Sequence, residues 1–209
     1  MLLKTRYANN NFFQSTRSVL TIHNGAFQGV FERNQLWALP EVTDTYNESL
    51  LQGHAYINFL KCGVMYADKI NAVSPSYASE LMTYLGGHGM AKNFQERSSD
   101  IRGIINGCDY ADWDPKTDPL IPVNYDINRL ADKELCKHAL QKRAGLDVNN
   151  TPLFGMVCRL TEQKGLNLLL PILERFLVHK VQVVIVGTGE PGLEERLTDM
   201  MQAHPERLA

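Results

Sequence analysis

GMVCRLTEQKG, residues 155–165, sets an apolar run against two cations and a glycine. The run leaves a strand at Arg159, and Lys164-Gly165 then opens the apolar stretch GLNLLL. A plain turn uses Gly, Asn, Asp or Pro for their backbone preferences and needs no pair of cations. A site that grips an anion at the carboxyl end of a parallel strand does need them, because ligands of open α/β sheets collect there. The following helix start adds free N–H groups and the positive end of its dipole. Arginine's planar fork and lysine's movable point charge together suit a diphosphate. Spacing alone leaves a second reading equally open, in which Arg159 pairs with Glu162 and Lys164 is solvated.

Working outward, short apolar runs alternate with helical stretches. SVLTI (18–22), KINAVS (69–74), IRGII (101–105), LFGMVC (153–158) and VQVVIV (181–186) read as strands. They are rich in β-branched residues, and several lack polar alternation, as parallel strands covered on both faces do. Residues 57–67, 76–85, 128–144, 165–178 and 191–203 read as helices. Pro75 and Pro191 suit first-turn positions, whereas Pro171 lies inside its stretch and should kink or shift it. Alternation of this kind implies an α/β fold with a mostly parallel sheet.

The pattern breaks from Asn106 to Asn128, a proline-bearing stretch with no clear period. Loops of this length are usually functional or interdomain. GLDVNNTP (145–152) is a second linker, and a domain boundary is expected there, with domains 1–148 and 149–209. Residues 1–17 hold no complete element, and only two strands are read after the linker, too few for an independent sheet. Both domains are therefore expected to be incomplete, and both ends look cut.

Composition bounds the function. Hydrophobic residues make up 44% and charged residues 21%, a globular balance, and the net charge of −2 has no basic block behind it. A nucleic-acid groove or a basic membrane face is not expected. No apolar run approaches the roughly 20 residues of a bilayer span, and MLLKTRYANN places a charge where a signal sequence is apolar. Cys62, Cys108, Cys136 and Cys158 form no CxxC pair and read as free thiols of a cytoplasmic protein. Six scattered histidines without an HExxH give no metal site.

Two further places carry candidate chemistry. His23 ends the SVLTI strand and starts HNGAFQG, which suits a polar site at the sheet edge, although a lone histidine more often caps local backbone. Asn106-Gly107 follows the IRGII strand, and an Asn-Gly pair is ordinarily just a turn. GTGEPG (187–192) matches the dinucleotide pattern GxGxxG between a strand and a helix. The ribose-binding acid would fall ~20 residues later, at or beyond Ala209, and Pro191 disturbs the approach of helix to phosphate. A tight turn into a helix is the preferred role.

TIHNGAFQG (21–29), NFLKCGVMYADKINAVSPSYASE (58–80), INGCDYADWDPKTDP (105–119) and CRLTEQKG (158–165) together resemble, in order, the blocks of the bacterial glycogen synthases and plant starch synthases. CRLTEQKG is shared by many nucleotide-sugar transferases, but TIHNGAFQG with NGCDYADWDPKTDP is much more specific. Cys108 stands where the family usually has an aliphatic residue, and Cys158 where Ser, Thr or Gly is commoner; both are mild departures.

The resemblance implies a GT-B-type glycosyltransferase of two Rossmann-like domains. Residues 1–148 would be the later part of the N-terminal starch-synthase catalytic domain, and 149–209 the start of the C-terminal nucleotide-binding domain. It implies retaining transfer of glucose from ADP-glucose to an α-1,4-glucan, with glycogen as product and neither metal nor cofactor. Arg159 and Lys164 would hold the diphosphate, His23 would position the donor glucose, and Asn106 would face the nucleotide sugar. Asn24, Phe27 and Gln28 would line the acceptor side. The family's Lys-x-Gly-Gly-Leu loop and its paired glutamates are absent, so this chain alone is not expected to turn over. The alternatives are a GT-B transferase using a UDP-sugar, an NAD-dependent dehydrogenase built on GTGEPG, and a noncatalytic glucan-binding fragment.

Overall fold

The structure, a computed structural model, describes residues 1–38, 51–52 and 55–209. They fall into two compact units, Met1–Cys108 and Asp109–Ala209. In the first unit the elements run β1 (Val19–Ile22), β2 (Val30–Glu32), β3 (Leu51–Gln52), β4 (Tyr56–Asn58), α1 (Phe59–Tyr66), β5 (Lys69–Ala72), α2 (Pro75–Glu80), α3 (Ala91–Glu96) and β6 (Ile101–Gly103). The second unit holds α4 (Lys133–Arg143), β7 (Leu153–Val157), α5 (Leu166–Leu177), β8 (Gln182–Val186) and α6 (Pro191–Ala203).

The first unit is built on a parallel sheet in the order β1-β5-β6, with Ile22 beside Ala72 and Ala72 beside Gly103. Ile22, Ile70, Ala72 and Ile101 are buried against Val64, Leu81 and Phe94 from the helices. Coverage of both faces is not what the described residues show. Ile70 and Ala72 are buried while Lys69 is exposed, and Thr21 donates to Asn71 at an exposed position (2.7 Å). The alternation is thus that of a sheet with one face packed.

Local chemistry fixes the helix ends. Asn58 caps α1 by accepting from the Lys61 amide, and Arg97 donates to the carbonyls of Val64, Met65 and Ala67 at its far end. Ser74 caps α2, with Pro75 in its first turn. That helix stops at Glu80, five residues short of the expected 76–85, because the backbone folds back on it: a Cβ on Gly86 would lie 2.3 Å from the Glu80 carbonyl oxygen. The antiparallel ribbon β2-β4-β3 and helix α3 are not foreseen in the sequence, and β4 takes residues 57–58 from the start of the expected helix 57–67, which begins only at Phe59.

In the second unit, residues 109–129 contain no helix or strand. Asp109, Asp114, Asp118 and Asp126 each accept from the backbone N–H two residues on, so the stretch is a series of side-chain-stapled turns. β7 and β8 are parallel. Helix α5 buries Leu166, Leu170, Leu173 and Leu177 on one stripe, and its helical assignment runs through Pro171, which is exposed. β7 and β8 are the two strands that the sequence leads one to expect after the linker. Leu208 adds an isolated parallel bridge to Val183, and Val183 and Ile185 donate to the carbonyls of Arg207 and Ala209.

The expected domain boundary at 148/149 falls inside this unit. Gln141 of α4, fully buried, donates to Gln182 of β8 (2.6 Å), and Gln182 donates to the Asp147 carbonyl (2.9 Å). Helix α4 and the linker after it are thereby tied to the β7-β8 sheet.

Candidate functional site

β1, β5 and β6 run parallel, so their carboxyl ends share one edge of the sheet. His23 leaves that edge directly after β1 and is exposed. Asn106, also exposed, follows β6 by three residues on the same edge. Between His23 and β2 the chain turns sharply. Asn24 accepts from the Ala26 amide (2.9 Å), which commits its carbonyl oxygen to the turn. Phe27 is 70% exposed.

Gln28 differs from the expectation of a lining residue, for it is buried, with 8% of its surface exposed. Its amide donates to the carbonyls of Gly25 (3.0 Å) and His88 (2.9 Å), and its oxygen accepts from Asn58 (2.7 Å). The backbone N–H of Gly25 donates to the Tyr77 hydroxyl at 2.6 Å. His88 carries a left-handed backbone, φ 47°, uncommon for a residue with a side chain. Asn58 and Tyr77 lie in the 58–80 block without an assigned role, and His88 has no place in the sequence reading. The glycines around His88 were the one available signal of a special backbone there.

In the second unit, Arg159 and Lys164 leave the carboxyl end of β7, both exposed. Neither side chain has a hydrogen-bond or ion-pair partner among the described residues. The alternative pairing of Arg159 with Glu162 is not formed; Glu162 accepts from Asn167 (3.2 Å) instead. Residues Glu162–Lys164 make one 3-10 turn, closed by Gly165 at φ 79°, and α5 begins at the next residue. A left-handed φ at this joint favours glycine, which is what the Lys-Gly pair supplies.

GTGEPG lies next to this loop, and its glycines answer to packing. A Cβ on Gly187 would sit 2.0 Å from the Cys158 carbonyl oxygen, and one on Gly189 would sit 2.1 Å from that of Leu160. Leu160 bridges to Gly189 as a continuation of the sheet. Two of the loop's donors are already taken: Glu194 accepts from the Thr188 hydroxyl (2.7 Å) and the Gly189 amide (2.6 Å). Those two bonds, the Thr188 hydroxyl first, hold the Glu194 carboxyl below its ordinary range. A cavity of about 290 Å³ opens beside the loop, lined by Leu160, Ile185, Thr188, Glu194 and Leu197 among others. A dinucleotide phosphate entering it would meet a carboxylate.

Among the described residues no group of three or more His, Cys, Asp or Glu is placed to hold a metal ion, and no helix is long and apolar enough to cross a membrane. All four cysteines are free.

Residues 1–96 match the family model described as the starch synthase catalytic domain. Over all 209 residues the chain is 61% identical to a glycogen synthase of Aeromonas hydrophila subsp. hydrophila, of which it covers 43%. It is 50% identical over 211 residues to a glycogen synthase of Vibrio cholerae, covering 44% of it. Among solved structures, the catalytic domain of starch synthase IV from Arabidopsis thaliana, bound to ADP and acarbose, matches with a TM-score of 0.86 and 29% identity. That match takes in 99% of this chain and 44% of the plant chain. The chain thus spans less than half the length of the relatives it matches. Along its whole length it resembles the bacterial glycogen synthases and plant starch synthases, and its fold is α/β of the GT-B type.

Proposed function

We propose that the chain carries part of the substrate site of a cytoplasmic, retaining glucosyltransferase that extends an α-1,4-glucan, glycogen, from ADP-glucose. Arg159 and Lys164 carry the reading: two exposed cations without partners among the described residues, at the carboxyl end of a parallel strand and before a helix start. In the reaction the bond from the sugar's anomeric carbon to the diphosphate oxygen breaks, and a bond to the acceptor hydroxyl oxygen forms on the same face. The hydroxyl proton passes to the departing phosphate. Charge builds on that phosphate as it leaves, and preorganised cations that meet it there lower the barrier. His23 positions the donor sugar, Asn106 faces the nucleotide sugar, and Asn24 and Phe27 border the acceptor. Gln28 acts through the loop that its buried amide holds. Residues 1–148 and 149–209 are assigned to the family's two catalytic domains, with α4 packed on the second. The dehydrogenase alternative is disfavoured by Glu194, whose carboxylate already accepts from two donors of the glycine-rich loop and would meet an entering phosphate with like charge.

The test uses a chimera in which this chain replaces the corresponding stretch of the Aeromonas hydrophila relative. A charge-assisted hydrogen bond contributes roughly 1.5–3 kcal/mol, about 10- to 150-fold in rate if realised only in the transition state. Arg159→Ala and Lys164→Ala should each lower kcat by that order while changing stability by less than about 0.5 kcal/mol. Near-normal kcat in both variants ends the diphosphate reading. The same assay with UDP-glucose as donor separates the two nucleotides.

A further inference from the structure

We propose that Tyr77 is a positioning residue, setting the loop from His23 to Gln28 for its encounter with the sugars. The inference rests on the reading of that loop as part of the substrate site. Gly25 is held from both sides: its N–H donates to the Tyr77 hydroxyl at 2.6 Å, and its carbonyl accepts from Gln28 at 3.0 Å. The contact is close as well as polar. A Cβ on Gly25 would stand 2.9 Å from Leu81 and 3.3 Å from the Tyr77 hydroxyl, so the loop rests directly on α2.

Tyr77 is itself anchored. Its own N–H donates to the Ser74 cap (2.9 Å), and Pro75 presets the first turn. The same turn abuts the end of β6, since a Cβ on Gly103 would lie 2.2 Å from the Pro75 Cα and 2.3 Å from the Ser74 carbonyl oxygen. From Gly103 the chain goes on to Asn106, its path fixed by an Ile104 N–H donating to Ala72 (2.8 Å). One turn, Ser74 to Tyr77, therefore touches the roots of both exposed segments on this edge. Tyr77 is the member that reaches the loop with a single hydroxyl, which makes its contribution separable.

Tyr77→Phe in the chimera removes that hydroxyl and leaves the ring. Misplacing reacting groups by a fraction of an ångström to an ångström costs up to about 10²-fold. We expect kcat to fall ~10-fold and the KM for glucan to rise, with inhibition by ADP unchanged because the cations at Arg159 and Lys164 are untouched. A purely structural role would lower the folded fraction, scaling activity and ADP-binding sites together and leaving the glucan KM alone. That outcome, or kcat within twofold of the parent, overturns the proposal. If Tyr77→Phe gives no soluble protein, Gln28→Met releases the other side of Gly25 and should give the same signature; its absence there overturns the proposal equally. An unsubstituted chimera without glucosyl transfer from ADP-glucose would instead sink the proposed function.

Discussion

The loops after β1 and after β7 both leave the carboxyl end of a parallel strand, yet they are held in opposite ways. The first is fixed by side chains: the Tyr77 hydroxyl and the Gln28 amide meet the backbone of Gly25, Asn58 holds Gln28 by its side-chain oxygen, and His23 and Phe27 stay exposed. The second is fixed by backbone packing, Cys158 and Leu160 lying against Gly187 and Gly189, and its two cations have no partner among the described residues. A loop of the first kind presents a set geometry. One of the second kind has a firm base and movable ends, which suits an anion whose position changes as a bond breaks.

The comparison breaks most sharply in the two cores. Phe94 and Leu173 are each fully buried, one in each unit. Phe94→Ala should cost about 3–5 kcal/mol and Leu173→Ala about 2–5 kcal/mol, through lost transfer energy and a cavity. In peptide-resolved hydrogen exchange, each should loosen its own unit. Equal loosening of β8 and α5 by Phe94→Ala would mean that the two regions are not separately stabilised.

Next in size is the backbone seat of the second loop. Gly189→Ala places a Cβ against the fixed Leu160 carbonyl and should cost about 3 kcal/mol. Gly192, with nothing within 4 Å of its added Cβ, should gain about 0.4–1 kcal/mol as Ala. Denaturant midpoints of the two variants would decide; a neutral Gly189→Ala would mean that close packing does not hold this loop.

The smallest effect is electrostatic. In the first unit, the Lys4 ammonium and then the Ser18 amide hold the Asp68 carboxyl well below its ordinary range, and Lys69 with Arg97 lowers Asp100. In the second, Lys137 lowers Glu134, and the Thr188 hydroxyl with the Gly189 amide lowers Glu194. A carboxylate whose folded pKa is depressed adds stability above its unfolded value near ~4 and loses it as pH falls through the folded value. Both units should therefore weaken on acidification below about pH 4. Asp68→Asn should flatten that dependence in the first unit alone, as read from exchange rates across an acid series. An unchanged slope would show that the Lys4–Asp68 contact, at 2.6 Å, adds nothing in solution.

What was legible in the sequence follows from how far each feature reaches. VQVVIV and KINAVS announce strands because β-branched residues cluster within a few positions, and the leucine stripe of α5 announces its own helix. The ribbon around β4 and the six-residue helix α3 are too short to repeat their periods often enough to show a pattern. The exposed cations could be read because their chemistry is unspent. Gln28 could not, since a glutamine beside an exposed phenylalanine looks like lining until Asn58 and His88, far along the chain, are seen to bury it. Tyr77 was hidden in the same way, 52 residues from its partner Gly25.

The Glu194 carboxylate gives the glycine-rich loop a further meaning. It fills the place that an incoming anion would compete for, so the loop resembles a receptor delivered with its own ligand attached. On the proposed reading, selectivity on this sheet edge follows from which turn already carries a carboxylate. One turn is silenced by a tethered carboxylate, and its neighbour, bearing Arg159 and Lys164, stays open to negative charge from outside. A glycine pattern read without that tethered occupant promises a binding site; with it, the same glycines mark a seat already taken.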